Sequence, residues 1–271
     1  MTERRPQTLD IEQVIRTKAG KNAKFIPQFL INWFKKFMRL DYINEFLEKG
    51  YVGVEFCEEC MKHLGVNIIV EGRENIPAND GKRYTFVSNH PLGAIDGVTL
   101  GTILGKQYDG NIKYLMNDIV MFLEGMKPFG IPVNKVGGQS RNLSALMDEA
   151  YGSDTQMIIF PAGLCSRKID GKIQDIEWGK SFVTKSRQTG RDTIPIHFEG
   201  RNSERFYRVA TWCKRLNLFN FAMLLLPDEM FKSAGKTYKV KIGKPIPITS
   251  LDRSKKDIEW AREIRQHVYE L

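Results

Sequence analysis

From Phe25 the apolar positions recur at spacings of three and four, through Ile26, Phe29, Leu30, Trp33, Phe34 and Phe37 to Met38. That period predicts an amphipathic helix starting near Lys18, with a second helical stretch over 41–64. Residues 1–17 are polar and are predicted to be extended or weakly helical. From residue 66 the pattern becomes short apolar runs of strand length, bounded by Gly or Pro, at 66–70, 84–87, 112–116, 157–160, 193–198 and 238–242. Between them lie helix-compatible stretches: the run after Asp96, then 116–130, 173–186 and 257–271. This alternation predicts an α/β fold, a single domain with a mixed, mostly parallel sheet flanked by helices. The N-terminal helical extension would occupy 1–65 and the domain proper 66–271.

Two apolar faces lack a predicted strand to cover. The first helix carries Phe and Trp with Lys18, Lys21, Lys24, Lys35, Lys36 and Arg39 around them, a pattern that suits either a helix lying in a bilayer interface or one packed on the core. The run 216–226, rich in Leu, Phe and Met, is open to the same two readings, with the core slightly favoured.

Charge narrows the partners. The formal net charge of +9 favours anionic ones: nucleic acid, acidic lipid headgroups or an acidic carrier protein. The cations are dispersed rather than striped and no nucleic-acid motif is present, so nucleic acid is not expected. The first residues carry acids and no apolar stretch, unlike a secretory signal, and no run reaches the roughly 18 to 20 apolar residues of a spanning helix. A cytoplasmic chain, peripheral on the inner face of the cytoplasmic membrane, is the expectation. Cys57 and Cys60, with His63 three residues on, lack a second ligand pair and read as the end of an amphipathic helix rather than a zinc site. Cys165 and Cys213 are isolated, and no disulfide is expected.

The chemistry concentrates at 85–97, TFVSNHPLGAIDG. A buried strand would deliver Ser88, Asn89 and His90 to a loop, and Asp96 would cap the helix that follows. A histidine leaving a sheet, with an acid able to reach its ring, suits general-base catalysis, because the carboxylate fixes the tautomer and stabilises the imidazolium. His197, inside an apolar strand, reads as a core residue.

Asn-His-Pro at a strand end, Gly two residues after the Pro, and Asp-Gly closing the loop resemble the first motif of the glycerolipid acyltransferases. Five residues separate His90 from Asp96 where that family usually has four, a spacing similar to its hemolysin-like branch. Residues 130–142 resemble the second motif, implying acceptor contacts from Gly130, Asn134 and Arg141. The stretch 160–167 resembles the third, usually Phe-Pro-Glu-Gly-Thr-Arg-Ser: Phe160, Pro161, Gly163 and Ser166 fit, Ala162 replaces Glu, Leu164 Thr and Cys165 Arg, and Arg167 stands two places later. TIPIHF at 193–198 resembles the fourth, and 199–212 the hemolysin-like branch. The resemblance runs from about Val66 to the C-terminus.

It implies an O-acyltransferase moving a fatty acyl chain from acyl carrier protein or acyl-CoA to the hydroxyl of a lyso-lipid at a membrane surface. His90 would be the base and Asp96 its partner, with Asn89, Phe160, Pro161, Gly163 and Arg167 lining the substrate and the amides of Leu164 and Cys165 facing the oxyanion. No cofactor or metal is implied. Cys165 in place of the motif's Arg disfavours a phosphomonoester acceptor, since a thiol cannot grip phosphate as a guanidinium does. An amino-acid-containing lyso-lipid, of the glycine or ornithine type, is expected instead. The alternatives are 1-acylglycerol-3-phosphate acylation and a non-catalytic lipid-binding protein. Direct attack is preferred over an acyl-enzyme on Cys165 or Ser88, since Ser88 is only two residues from His90 and no second base is visible for Cys165.

Overall fold

The computed structural model describes residues 4–19, 24–133, 143–218 and 220–271. Four helices precede the first strand: α1 (Ile11–Ala19), α2 (Gln28–Phe37), α3 (Leu40–Leu47) and α4 (Val54–Leu64). The sequence pattern suggests two. The chain breaks at Arg39, between the two predicted stretches and in the left-handed region at φ 51, and again around Gly50, inside the second, where a Cβ would come within 2.7 Å of the Pro6 nitrogen. Only glycine tolerates that close approach at positive φ.

Then follow β1 (Asn67–Glu71), β2 (Tyr84–Ser88), α5 (Ala94–Gln107), β3 (Ile112–Asn117), β4 (Gly130–Val133), α6 (Leu143–Gly152) and β5 (Gln156–Ile159). A small hairpin, β6 (Arg167–Ile169) and β7 (Lys172–Gln174), leads to α7 (Ser181–Thr189), β8 (Asp192–Glu199), α8 (Glu204–Arg215), α9 (Leu226–Phe231), β9 (Thr237–Ile242) and α10 (Asp257–Glu270). The seven-stranded sheet has the order β1-β9-β8-β2-β5-β3-β4. Strands β8, β2, β5, β3 and β4 run parallel; β9 lies antiparallel to β8 and carries β1 parallel to itself. The sheet is therefore mixed and mostly parallel, as the alternation of elements predicts.

Helices cover both faces. Phe86 and Ile158 point into one core with Phe46 of α3, Phe56, Cys57 and Leu64 of α4, and Leu100 of α5. Val87, Met157 and Ile159, one residue out of phase, point into the other with Tyr151, Trp178, Phe182 and Ile264. This alternation follows from the two-residue period of a strand, and each fully buried large apolar side chain contributes about 1.5–3 kcal/mol. The helices from Leu40 onward thus belong to the layer covering the sheet.

Several local expectations are corrected. Residues 116–130 form two 3-10 turns, Asp118–Phe122 and Glu124–Phe129, instead of a helix: the Asn117 side chain accepts from the Ile119 N–H at 3.0 Å, and Pro128 has no N–H to donate. The helix expected from 173 starts at Ser181, because 172–174 pairs in the hairpin. The run 216–226 includes a 3-10 turn, Phe221–Leu225, ahead of α9. α5 begins at Ala94, which puts Asp96 inside its first turn rather than before it.

Candidate active site

Strand β2 is buried along its whole length and lies between two parallel neighbours, β8 and β5, so its carboxyl end opens where α/β sheets build their sites. There the chain turns through Asn89 to Gly93 into α5. Asp96 Oδ2 accepts from the Leu92 N–H at 2.9 Å and the Gly93 N–H at 3.0 Å, and lies 2.9 Å from Nδ1 of His90. One carboxylate therefore holds the loop, the helix start and the imidazole together, and the helix N-terminus favours its charge. Gly93 lies between the two residues at φ 83, and a Cβ there would come within 3.1 Å of both Cys165 Sγ and Leu226 Cδ2.

With Nδ1 turned to Asp96, Nε2 is the nitrogen left to handle a substrate proton. The His90 ring stacks on Phe160 with centroids 4.1 Å apart, and its side chain is 18% exposed. Burial opposes charge on the ring. The Cys165 sulfur in contact with it and the Asp96 carboxylate outweigh burial and hold the imidazole up at about 10.

The turn after β5 closes the other wall. Gly163 N–H donates to Phe160 O at 2.8 Å, and Ser166 N–H donates to His90 O at 2.7 Å, joining the two loops through their main chains. Cys165 is buried against Phe206, Tyr207 and Ala222 as well as meeting His90. The Leu164 and Cys165 N–H groups have no backbone acceptor among the described residues. Arg167 Nη1 donates back to Cys165 O at 2.5 Å and Ser166 O at 3.3 Å while its guanidinium lies over the Phe206 ring. Pro161 O accepts from Gly179 N–H at 3.0 Å.

Other sequence candidates fall elsewhere. The Asn89 amide is held on both atoms by the Phe198 main chain, at 2.9 and 2.6 Å, so it fixes β2 to β8 instead of facing substrate. Gly130 starts β4 opposite Tyr114, where a Cβ would strike Met121 at 2.2 Å; its smallness serves packing. Asn134 and Arg141 lie outside the described residues. Ser88 is fully buried and donates to Asn89 O. Cys57 and Cys60 point into the core of α4, where burial pushes both thiols up, and His63 lies between the Tyr42 and Phe46 rings. His197 Nδ1 meets Val268 O at 2.7 Å.

Sequence reasoning missed Asp175, which reaches both loops, and gave no role to Asn202, whose Nδ2 donates to Pro91 O at 3.1 Å. Next to Asn202, Ser203 is tied to the buried Glu229 carboxylate through its N–H and hydroxyl, both at 2.6 Å. Two clefts, one lined by Arg201, Glu229 and Lys236 and one by Met61, Ile68 and Thr102, do not include His90.

A family model described as "Acyltransferase" matches residues 13–271. The chain is 50% identical over 266 residues to a lyso-glycine lipid O-acyltransferase of Phocaeicola vulgatus, covering 97% of this chain and 95% of that one. It is 48% identical, with 97% of each covered, to a lyso-glycine lipid O-acyltransferase of Bacteroides thetaiotaomicron. Among solved structures it resembles the 1-acyl-sn-glycerophosphate acyltransferase PlsC from Thermotoga maritima, at 16% identity and a TM-score of 0.48, covering 96% of this chain and 97% of that one. With a family match across almost the whole chain and relatives at half identity, this chain belongs to the acyltransferase family.

Proposed function

We propose that the chain transfers a fatty acyl group from a thioester donor, acyl carrier protein or coenzyme A, to the hydroxyl of a lyso-glycine lipid at a membrane surface. The observation that carries the reading is the His90–Asp96 pair at the end of β2, in a chain half identical to two lyso-glycine lipid O-acyltransferases. His90 Nε2 takes the acceptor's hydroxyl proton as its oxygen attacks the thioester carbon, and Asp96 stabilises the imidazolium. The carbonyl oxygen becomes an oxyanion facing the Leu164 and Cys165 N–H groups. Collapse breaks the C–S bond, and the departing thiolate takes the proton from His90. The scheme uses neither metal nor redox cofactor. Only Nη1 of Arg167 donates to the protein among the described residues, which leaves the other guanidinium nitrogens for the glycine carboxylate.

The membrane contact rests on exposed apolar side chains. Phe29 and Trp33 of α2 are 69% and 60% exposed, and Trp212 of α8 is 63% exposed, while Arg205 of α8 lies over the Phe37 ring of α2 and makes the two helices neighbours. Their basic flanks suit an anionic bilayer surface. No helix among the described residues is long and apolar enough to cross a membrane.

One observation favours a second reading. Because Cys165 touches His90, the acyl group could pass through a Cys165 thioester, with His90 as the base for both steps. Intact-mass measurement after a single turnover separates the two: an acyl adduct lost in Cys165→Ala supports this route. The acceptor is tested by comparing lyso-glycine lipid, lyso-ornithine lipid and lysophosphatidic acid under one donor. Preference for the phosphate acceptor would overturn the proposal.

A further inference from the structure

Asp175 is a fully buried carboxylate in the segment between β7 and α7, and the scheme above gives it no role. Its Oδ1 accepts from the Ser166 hydroxyl at 2.6 Å and from the His90 main-chain N–H at 3.2 Å; its Oδ2 accepts from the Trp178 indole at 2.9 Å. Its own main chain is held by α10, donating to the Tyr269 hydroxyl at 2.7 Å and accepting from Arg265 at 2.7 Å. His90 is thus gripped at both main-chain ends, its N–H by Asp175 and its carbonyl by the Ser166 N–H. The same carboxylate fixes the residue next to the proposed oxyanion amides.

We infer that Asp175 is a positioning residue for the acyl transfer: it sets the distance between the His90 loop and the 164–166 turn, and it places a second carboxylate at the main chain of the base. The inference rests on the proposed role of His90 as base. Base and oxyanion donors reach the reacting carbonyl from different loops, so their relative placement decides whether both act at once, and a displacement of about 1 Å in such a site can cost about 100-fold in rate. A buried carboxylate is costly unless hydrogen-bonded; three donors offset part of that cost here, while burial still holds the Asp175 carboxyl above its ordinary value. The groups facing it are His90 from its loop, Ser166 and Arg167 from the turn, Trp178 on its own segment, and Arg265 and Tyr269 from α10. His90 itself faces Asp96, Cys165 and Asp175.

The test compares Asp175→Asn, Ser166→Ala and His90→Ala in the full chain, with thermal melting to establish folding and kcat and KM measured between about pH 7 and 11, a range that brackets the raised His90 value. In Asp175→Asn the alkaline level of kcat should fall at least about tenfold with the donor KM within about twofold, and the midpoint of the rising limb should move to lower pH as an anion beside the imidazolium is removed. Ser166→Ala keeps the charge, so kcat should fall similarly with no change in midpoint. A folded Asp175→Asn with wild-type kcat and midpoint overturns the inference. Should that variant fail to fold, Ser166→Ala decides, and a wild-type kcat there overturns it equally. His90→Ala separates the levels: if it stays active, the proposed base is wrong and this inference falls with it, whereas an inactive His90→Ala beside a normal Asp175→Asn removes the inference alone.

Discussion

Replacing Asp96 by Asn tests the electrostatics of the site with little change in shape. Two N–H groups, of Leu92 and Gly93, converge on Oδ2, so the amide must present its oxygen there. Its NH2 then takes the place of Oδ1, which has no partner among the described residues. The oxygen still faces His90 Nδ1, and the tautomer is preserved. What disappears is charge. Two unit charges 2.9 Å apart attract by about 6 kcal/mol at an effective dielectric of about 20, an upper bound, and the gap between a charge-assisted and a neutral hydrogen bond sets a lower one of about 1 kcal/mol. At 1.36 kcal/mol per factor of ten, these bounds put the fall in the alkaline level of kcat/KM between about 5-fold and about 25,000-fold. The deficit should depend on pH. With the wild-type ring held up at about 10, about one part in a thousand is free base at pH 7. Neutralising Asp96 lowers that value, and each unit returns about tenfold in free base, so the deficit is small at pH 7 and grows toward pH 9.5. Steady-state kinetics with a thioester donor across that range measure it. A deficit of the same size at both ends would refute the reasoning.

Three further outcomes follow. His90→Ala should lose about 100- to 10,000-fold in turnover and remain folded; because the folded His90 pKa is raised to about 10, its stabilising charge contact is complete below about pH 6.5 and lost as pH rises through 10, so the melting difference from wild type should shrink over that window. Phe29→Ser with Trp33→Ser should reduce sedimentation with anionic vesicles while leaving the melting temperature within a few degrees, since both side chains are largely exposed; Phe37, packed with Phe34, is better left in place. Gly93→Ala should destabilise by about 1–3 kcal/mol in denaturant titration and lower activity, as a left-handed non-glycine residue would also press on Cys165 and Leu226.

The sheet and the closeness of His90 to Asp96 were legible because each rests on short-range pattern: a buried strand, a glycine loop, an acid near the helix start, although Asp96 lies inside the first turn of α5 rather than before it. Asp175 was not. In the sequence it sits in IQDIEWG as one polar residue among several, and only the return of the β6–β7 hairpin brings it back to Ser166, nine positions earlier. Periodicity carries no record of such a return. The N-terminal helices misled for a related reason: the predicted second stretch, 41–64, runs through Gly50 and Gly53, whose positive φ divides it into α3 and α4. Strand β4 escaped notice because GIPV is short and holds a proline, tolerable only at the sheet edge where it lies. Asn89 was misassigned because a polar residue next to the base invites a substrate role, while its amide in fact completes the pairing of β2 with β8.

The insertion of β9 between β8 and β1 has a consequence in time. Ile68 pairs with Tyr238, 170 positions later, and β1 has no other strand beside it among the described residues. On a ribosome adding about 5 to 20 residues per second, β1 therefore waits roughly 10 to 30 seconds for its partner to be made. The parallel strands β2, β3, β4 and β5 can associate during that interval, with α5 and α6 covering them. Strand β1 itself stays without its sheet partner until β9 has been made, although α3 and α4 before it can already pack on β2, β5 and α5. The nascent chain thus carries β1 as an unpaired strand while the parallel half of the sheet is already forming.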